Sequence, residues 1–359
     1  MVCRVESVVT RNVYDDIFPI TQIDIPWERF KNKIVFITGA NGFISYYLVV
    51  ALMIRNDLYQ DNIKVIGMVR NEAKAKAKFG QLANRSDLEL FVGDVCEQFK
   101  IDEKVDFIIH AASQASAYYF ENDPVGTIDA NLTGTSNVLK LALEKNAESS
   151  LFISSLKVYG QVKDGSTKLV EENIGFVDQT NYKNCYAIGK RAAETLCASY
   201  SKQYNLSVKI ARPSYIYGPS SLDDDRVWAQ FIANIVKNES ILLKSSGAPY
   251  RSFCYVTDTA AALLTILLLG ENAIPYNISA EHSDTTIRGF ARTAVGVFPE
   301  RNLTLSFEKK EDEVEPDVTK FTVTPEILDG MKLTALGWNA TIDLEEGIKR
   351  AVRIVEEQQ

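Results

Sequence analysis

The stretch Ile34-Val35-Phe36-Ile37-Thr38-Gly39-Ala40-Asn41-Gly42-Phe43-Ile44-Ser45 decides the fold. Its opening apolar run has the length of a buried strand, its glycines allow a tight backbone turn, and the periodic stretch from Tyr46 to Ile54 starts a helix. A helix entered this way presents its N-terminus, with unpaired N–H groups and positive dipole end, to an anion such as a pyrophosphate. Any tight strand-to-helix connection can use glycine. What separates a dinucleotide turn from an ordinary one here is the pair Tyr186-x-x-x-Lys190 far downstream. Together they point to a bound dinucleotide and redox chemistry on a hydroxyl or ketone.

Composition sets the frame. With 359 residues, 46% of them hydrophobic, the chain can bury a large core in one domain or two closely joined ones. A formal net charge of -8, with no long Lys/Arg block, argues against a nucleic-acid or anionic-membrane partner. The five cysteines are odd in number, scattered and never in a C-x-x-C pair, which suits a reducing compartment and disfavours a disulfide framework or structural zinc. His110 and His282 are the only histidines, so no metal site is expected. Residues 1–30 lack a signal-peptide apolar region and Ala260–Leu269 is too short to span a bilayer, which leads us to expect a soluble cytoplasmic protein.

Along the chain, Ile34–Ile37, Val65–Val69, Leu88–Val92, Phe107–Ile109, Leu151–Ser154 and Val208–Ala211 read as short strands separated by helical spacing. Such alternation predicts an α/β fold, a Rossmann-type doubly wound parallel sheet. Beyond Arg212-Pro213 the rhythm becomes irregular, and a charged helix from Asp343 closes the chain. The expected organisation is an N-terminal extension over 1–30, arm or cap, then a dinucleotide-binding domain over 31–212. A smaller, mainly substrate-binding C-terminal domain follows over 213–359, with some segments returning to the sheet.

The ordered motifs Thr38-Gly39-x-x-Gly42-Phe43-Ile44, Gly93-Asp94-Val95, His110-Ala111-Ala112-Ser113, Asn131-x-x-Gly134-Thr135, Ser154-Ser155-x-x-Val158-Tyr159-Gly160, Tyr186-x-x-x-Lys190, Tyr217-Gly218-Pro219, Arg251-x-Phe253-x-Tyr255-Val256-x-Asp258 and Leu336-Gly337-Trp338 extend the reading. A chain with this series resembles the extended short-chain dehydrogenases/reductases of the nucleotide-sugar epimerase, dehydratase and decarboxylase group, over about residues 31 to 355. The resemblance implies a cofactor site of Gly39, Asn41, Gly42, Phe43, Ile44, Arg70, Asn71, Asp94, Val95, Ala111, Ala112, Ser113, Asn131, Ser154, Tyr186, Lys190 and Pro213. In that family Asp94 and Val95 border the adenine, Ala111 to Ser113 pass beside cofactor and substrate, and Asn131 supports the sheet near the active site.

Side-chain chemistry gives the central trio its roles. A phenol titrating near ~10 is a poor base at neutral pH, so a lysine one turn away on the same helix face supplies charge that stabilises phenolate. Ser155, ending the strand before that helix, can donate a hydrogen bond to the substrate oxygen as it gains negative charge. The catalytic residues are thus Ser155, Tyr186 and Lys190. Cofactor choice turns on the end of the second strand: Gly67-Met68-Val69-Arg70-Asn71 carries no acid until Glu72, and Arg70 suits a 2′-phosphate, which favours NADP over NAD. Ser45 stands where the family commonly has a third glycine.

Departures bear on the reaction. Dehydratases of the group place Asp-Glu directly after the Ser/Thr and decarboxylases keep the Glu, whereas Leu156 and Lys157 stand here and cannot act as those acids. Lys157 is either solvated or neutralises a substrate carboxylate or phosphate. Arg226 and Arg251 match family positions expected to reach the diphosphate or base, and Tyr215 replaces a substrate-contacting Asn. Val314-Glu315-Pro316-Asp317 lacks the arginine relatives often place before Pro-Asp. The substrate site is therefore expected at Ser113, Ser155, Lys157, Tyr215, Arg226 and Arg251, around a nucleotide-diphosphate sugar. An epimerase needs only the trio and a roomy pocket; a ketoreductase consuming NADPH is the alternative Arg70 supports; dehydration and decarboxylation are disfavoured. A non-catalytic cofactor-binding relative is argued against by the intact Tyr186 and Lys190. Apolar positions on the helices around Thr127–Lys145 and Tyr186–Gln203 predict a homodimer.

Overall fold

Seven parallel strands form the centre of the molecule in a computed structural model that describes residues 4–162, 167–308 and 326–359. They are β1 (Ile34–Thr38), β2 (Lys64–Val69), β3 (Leu88–Val92), β4 (Phe107–His110), β5 (Ser149–Ile153), β6 (Val208–Pro213) and β7 (Pro275–Ile278). Their order is β7-β6-β5-β4-β1-β2-β3. Alternate residues divide between two cores, as a strand's period of two requires: Val35, Ile37, Phe107 and Ile109 face one side, Phe36, Ile108 and Phe152 the other. The helices are α1 (Arg11–Ile17), α2 (Phe43–Tyr59), α3 (Glu72–Phe79), α4 (Ala117–Asn122), α5 (Pro124–Lys145), α6 (Cys185–Tyr204), α7 (Val227–Val236), α8 (Val256–Leu269) and α9 (Ile287–Gly296), followed by a closing helix over Leu344–Glu357. Helices α2 and α8 supply the first core, α5 and α6 the second.

The strand order reverses between β1 and its neighbours β2 and β4, with Thr38 registered against Met68 on one side and His110 on the other. At this switch point the chain leaves in opposite directions, opening a crevice at the carboxyl ends of the strands. The site lies there.

Several expected boundaries shift. Strand β5 begins at Ser149 rather than Leu151 because Ser149 and Ser150, both buried, pair with Phe107 and Ile108. Strand β6 runs on to Pro213, where Arg212 and Pro213 pair with Asn277 and Ile278 of β7. The N-terminal residues join the main core rather than forming a separate arm: Val13, Ile17, Ile20, Trp27 and Phe30 are buried with α2 and α8. Asp16 of α1, 2% exposed, fastens this segment by accepting from Tyr255 Oη at 3.0 Å, with Arg350 Nη1 at 3.4 Å. No helix among the described residues is long and apolar enough to cross a membrane.

Candidate active site

The turn from β1 into α2 is built for close approach. Gly39 has φ +65°, and a Cβ there would come within 3.1 Å of the Ala112 backbone; one on Gly42 would meet the Gly39 carbonyl at 2.9 Å. Gly42 caps α2 without a side-chain hydrogen bond, so the first N–H groups of that helix remain available to an anion. Such a cradle fits a dinucleotide pyrophosphate. Thr38 braces the opposite loop, its Oγ1 accepting from the N–H groups of Ala111 and Ala112 at 3.1 and 3.0 Å. His110 sits between Thr38 and Thr135, and burial beside Lys190 pushes its pKa down to about 3, so it stays neutral.

A cavity of about 420 Å³ opens from this turn. Gly42, Phe43, Ile44, Ala111, Ser113, Ser154, Ser155, Lys157, Tyr186, Lys190, Pro213, Tyr215, Arg226 and Arg251 all line it, so the fold gathers most of the expected site residues. Gly39, Asn41, Ala112, Asn131, Asp94 and Val95 are outside that lining. Asn131 is buried and receives a hydrogen bond from Ser113 Oγ at 2.9 Å, a supporting position. Arg70 and Asn71 are exposed at the end of β2, and the Asn71 side chain caps α3 by accepting from Lys74 N at 2.9 Å. The segment Val314–Asp317 lies outside the described residues.

Ser155, Tyr186 and Lys190 meet where β5 ends against α6. Burial raises the Tyr186 phenol above its ordinary value and outweighs the opposing pull of Ser155. Lys190, 3% exposed, donates to the Ile153 carbonyl at 2.7 Å, and its Nζ lies 5.6 Å from the centre of the Tyr186 ring. Burial lowers its pKa to about 7 against the opposing pull of Glu194. The two groups therefore share a helix face, but their surroundings favour the neutral form of both. Beneath them Glu194 accepts from Ser154 Oγ at 2.5 Å and holds Arg212 through Nε and Nη2 at 2.9 and 2.7 Å, locking α6 to the ends of β5 and β6.

Arg226 does not stand free. Asp224 accepts from its Nε at 2.9 Å, and the guanidinium lies 4.7 Å from the Phe43 ring and 4.4 Å from Trp228, joining the cofactor turn to α7. Lys157 and Tyr215, two of the departures from the family pattern, touch each other: Lys157 Nζ donates to Tyr215 Oη at 2.8 Å. Glu326, which no motif marked, binds both, accepting from Tyr215 Oη at 2.6 Å and from Lys157 Nζ. Arg251 Nε stands 3.3 Å from the same carboxylate. Burial alone would raise Glu326, but Lys157, Tyr215 and Arg251 outweigh it and hold the carboxyl below its usual range. Backbone bonds set this array, with Tyr215 N donating to Ser252 O and Ser252 N to Glu326 O.

A seven-strand parallel sheet with this crevice defines a Rossmann-type α/β protein, and comparison narrows it. A model of the NAD dependent epimerase/dehydratase family matches residues 35–279, and the chain belongs to that family. It is an enzyme of the NAD(P)-dependent, short-chain dehydrogenase/reductase type. The chain is 32% identical over 318 residues to UDP-glucuronic acid decarboxylase 3 of Arabidopsis thaliana, covering 88% of this chain and 87% of that one. Identity is 27% over 329 residues to the dTDP-D-glucose 4,6-dehydratase of Homo sapiens, 89% of each. Its fold matches that of UDP-N-acetylglucosamine 4-epimerase from Methanobrevibacter ruminantium M1 with a TM-score of 0.75 at 21% identity, over 92% of this chain and 100% of that one.

Proposed function

We propose that the protein interconverts epimers of a nucleoside-diphosphate sugar, oxidising a ring hydroxyl to a ketone and then reducing it from the other face. The observation carrying this reading is the convergence of Ser155, Tyr186 and Lys190 at one end of a largely apolar cavity, with Leu156 and Lys157 where an elimination enzyme needs acids. As the phenolate, Tyr186 Oη takes the hydroxyl proton and then returns it, while Ser155 donates to the oxygen that alternates between hydroxyl and carbonyl. Bound nicotinamide supplies hydride acceptance and donation. Gly39, Gly42 and the first turn of α2 would hold its pyrophosphate, and Pro213 and Lys190 line the cavity at the reacting end.

Tyr186→Phe tests the assignment. It keeps the ring, which stacks on Phe120 with centroids 4.9 Å apart, and removes only the hydroxyl. Dinucleotide binding and the melting temperature should persist while turnover falls about 10²–10⁴-fold. Near-normal turnover would overturn the assignment.

For the cofactor we favour NADP over NAD. Glu72 is engaged with Lys76 at 2.7 Å, leaving Arg70 at the end of β2 for a 2′-phosphate. Arg70→Ala should weaken NADP binding by about 1.5–3 kcal/mol and leave NAD unchanged; equal losses, or a wild type that prefers NAD, would reject the assignment.

Decarboxylation is the second reading, favoured by the 32% identity to a UDP-glucuronic acid decarboxylase. The carboxyl which that chemistry keeps after the serine is replaced here by Lys157, and Glu326 approaches from behind Lys157 without lining the cavity.

A further inference from the structure

Three aromatic residues follow one another on α4, and only the last of them faces the molecule. Tyr118 and Tyr119 are exposed, none of the helix's residues is buried, and Phe120, half-buried, lines the cavity. Its ring stacks on that of Tyr186, with centroids 4.9 Å apart and planes 23° from parallel, the geometry of a favourable aromatic pair. A helix as short as Ala117–Asn122 cannot hold itself in place, and α4 has no core of its own to do so. Its stem is tied instead: Gln114 Nε2 donates to Asp123 Oδ2 at 2.9 Å, Gln114 Oε1 accepts from the buried Thr127 Oγ1 at 2.8 Å, and Asp123 caps α5 by accepting from Gly126 N at 3.1 Å. Glu121, beside Phe120, accepts from Tyr182 Oη at 2.8 Å and pairs with Lys183 at 3.1 Å, on the short turn that leads into Tyr186. Exposed pairs of this kind add little stability. What they secure is the place of α4 over the first turn of α6, and with it a ring on the face of the phenol.

Resting on the acid–base role proposed for Tyr186, we propose that Phe120 is a positioning residue for the reaction: its ring holds the phenol at the reacting end of the cavity and keeps water off one face, so that Tyr186 exchanges its proton with the sugar oxygen rather than with solvent. A phenol covered on one face is harder to ionise, because the phenolate loses hydration there, and the burial that raises Tyr186 acts in this direction. The same covering restricts the side chain to one orientation, and a misplacement of about 1 Å at a reacting centre costs up to about 100-fold in rate. A flat ring laid on the phenol serves both ends. An aliphatic side chain covers less of that face and restrains it less.

Ultraviolet phenolate absorbance, read immediately after a stopped-flow pH jump and so ahead of alkaline unfolding, tests this on the purified protein without a substrate. Each protein is measured against its own Tyr186→Phe version, so the difference reports Tyr186 alone. Phe120→Ala should ionise Tyr186 about one pH unit below the wild type; Phe120→Leu, which keeps apolar bulk against α6, about half as far; and Phe120→Tyr, which keeps the ring, at the wild-type midpoint. Tyr118→Ala alters α4 at an exposed position outside the stack and should leave the midpoint in place. On a nucleotide-sugar substrate, the ascending limb of the pH–turnover profile should move down by the same amount in Phe120→Ala, with kcat falling about 10- to 100-fold. Coincident midpoints for the wild type, Phe120→Leu and Phe120→Ala, or an equal shift from Tyr118→Ala, would overturn the role of Phe120 and leave Tyr186 as the acid–base group. Undiminished turnover by Tyr186→Phe would overturn that underlying assignment, whatever the titration gives.

Discussion

Lys190 is a cation in a place that resists charge. Among the described residues its ammonium donates to the Ile153 carbonyl alone, and burial brings its pKa to about 7, far below the ordinary lysine value near ~10.4. The sign of the consequence follows from linkage. A depressed lysine is protonated in both folded and unfolded chains below pH about 7, where the full cost of burying the charge is felt; from there up to about 10 the unfolded chain holds the extra proton, so stability rises with pH. Lys190→Met should therefore melt higher than the wild type at pH 6, with the gap closing toward pH 10, while losing turnover at both. A variant that melts lower throughout would mean that the ammonium is a net structural support. Residues like this were legible in advance, because the i, i+4 spacing of Tyr186 and Lys190 is a property of one helix. Glu326 was not: it reaches Lys157 across 169 positions of chain, and no local pattern marks such a pairing.

Among the elements, those with strict periodicity were readable and those defined by tertiary partners were not. Strands β1 to β4 announce themselves as apolar runs. Strand β7 does not, since Pro275 opens it and its buried Asn277 is tolerated only because it binds Tyr159 Oη, Leu169 O and Glu171. Helix α1 is likewise ordered by what it meets. Burial raises Asp16 to about 6, against the hydrogen bond from Tyr255 and the charge of Arg350. A carboxyl raised in the fold contributes fully below about pH 4 and loses that contribution as pH climbs through 6, a difference of about 3 kcal/mol. Asp16→Asn should thus raise the melting temperature relative to wild type more at pH 7.5 than at pH 4. A larger gain at pH 4 would show that the carboxylate, not the acid, secures the N-terminal segment.

At the scale of the whole molecule, α5 and α6 cover one face of the sheet and keep apolar residues outward. Val125 is 68% exposed, and Ile128, Leu132 and Ile188 remain half-buried. We propose that this face pairs two copies of the chain. Light scattering at micromolar concentration should give a dimer, and Leu132→Glu should give a monomer; a monomeric wild type would reject the pairing. The cavity itself is also a product of the whole chain, since α2, β5, α6, α7 and the segments carrying Tyr215 and Arg251 each supply part of its wall. The central claim is that this cavity completes a redox-neutral cycle on a nucleotide sugar. Its most direct test is to incubate the purified protein with UDP-glucuronic acid and UDP-glucose without added reductant, following the sugar by proton NMR and the cofactor by absorbance. The account predicts a second epimer with every carbon retained and a cofactor spectrum that ends where it began; a product lacking the carboxyl carbon, or cofactor consumed in step with product, would contradict it.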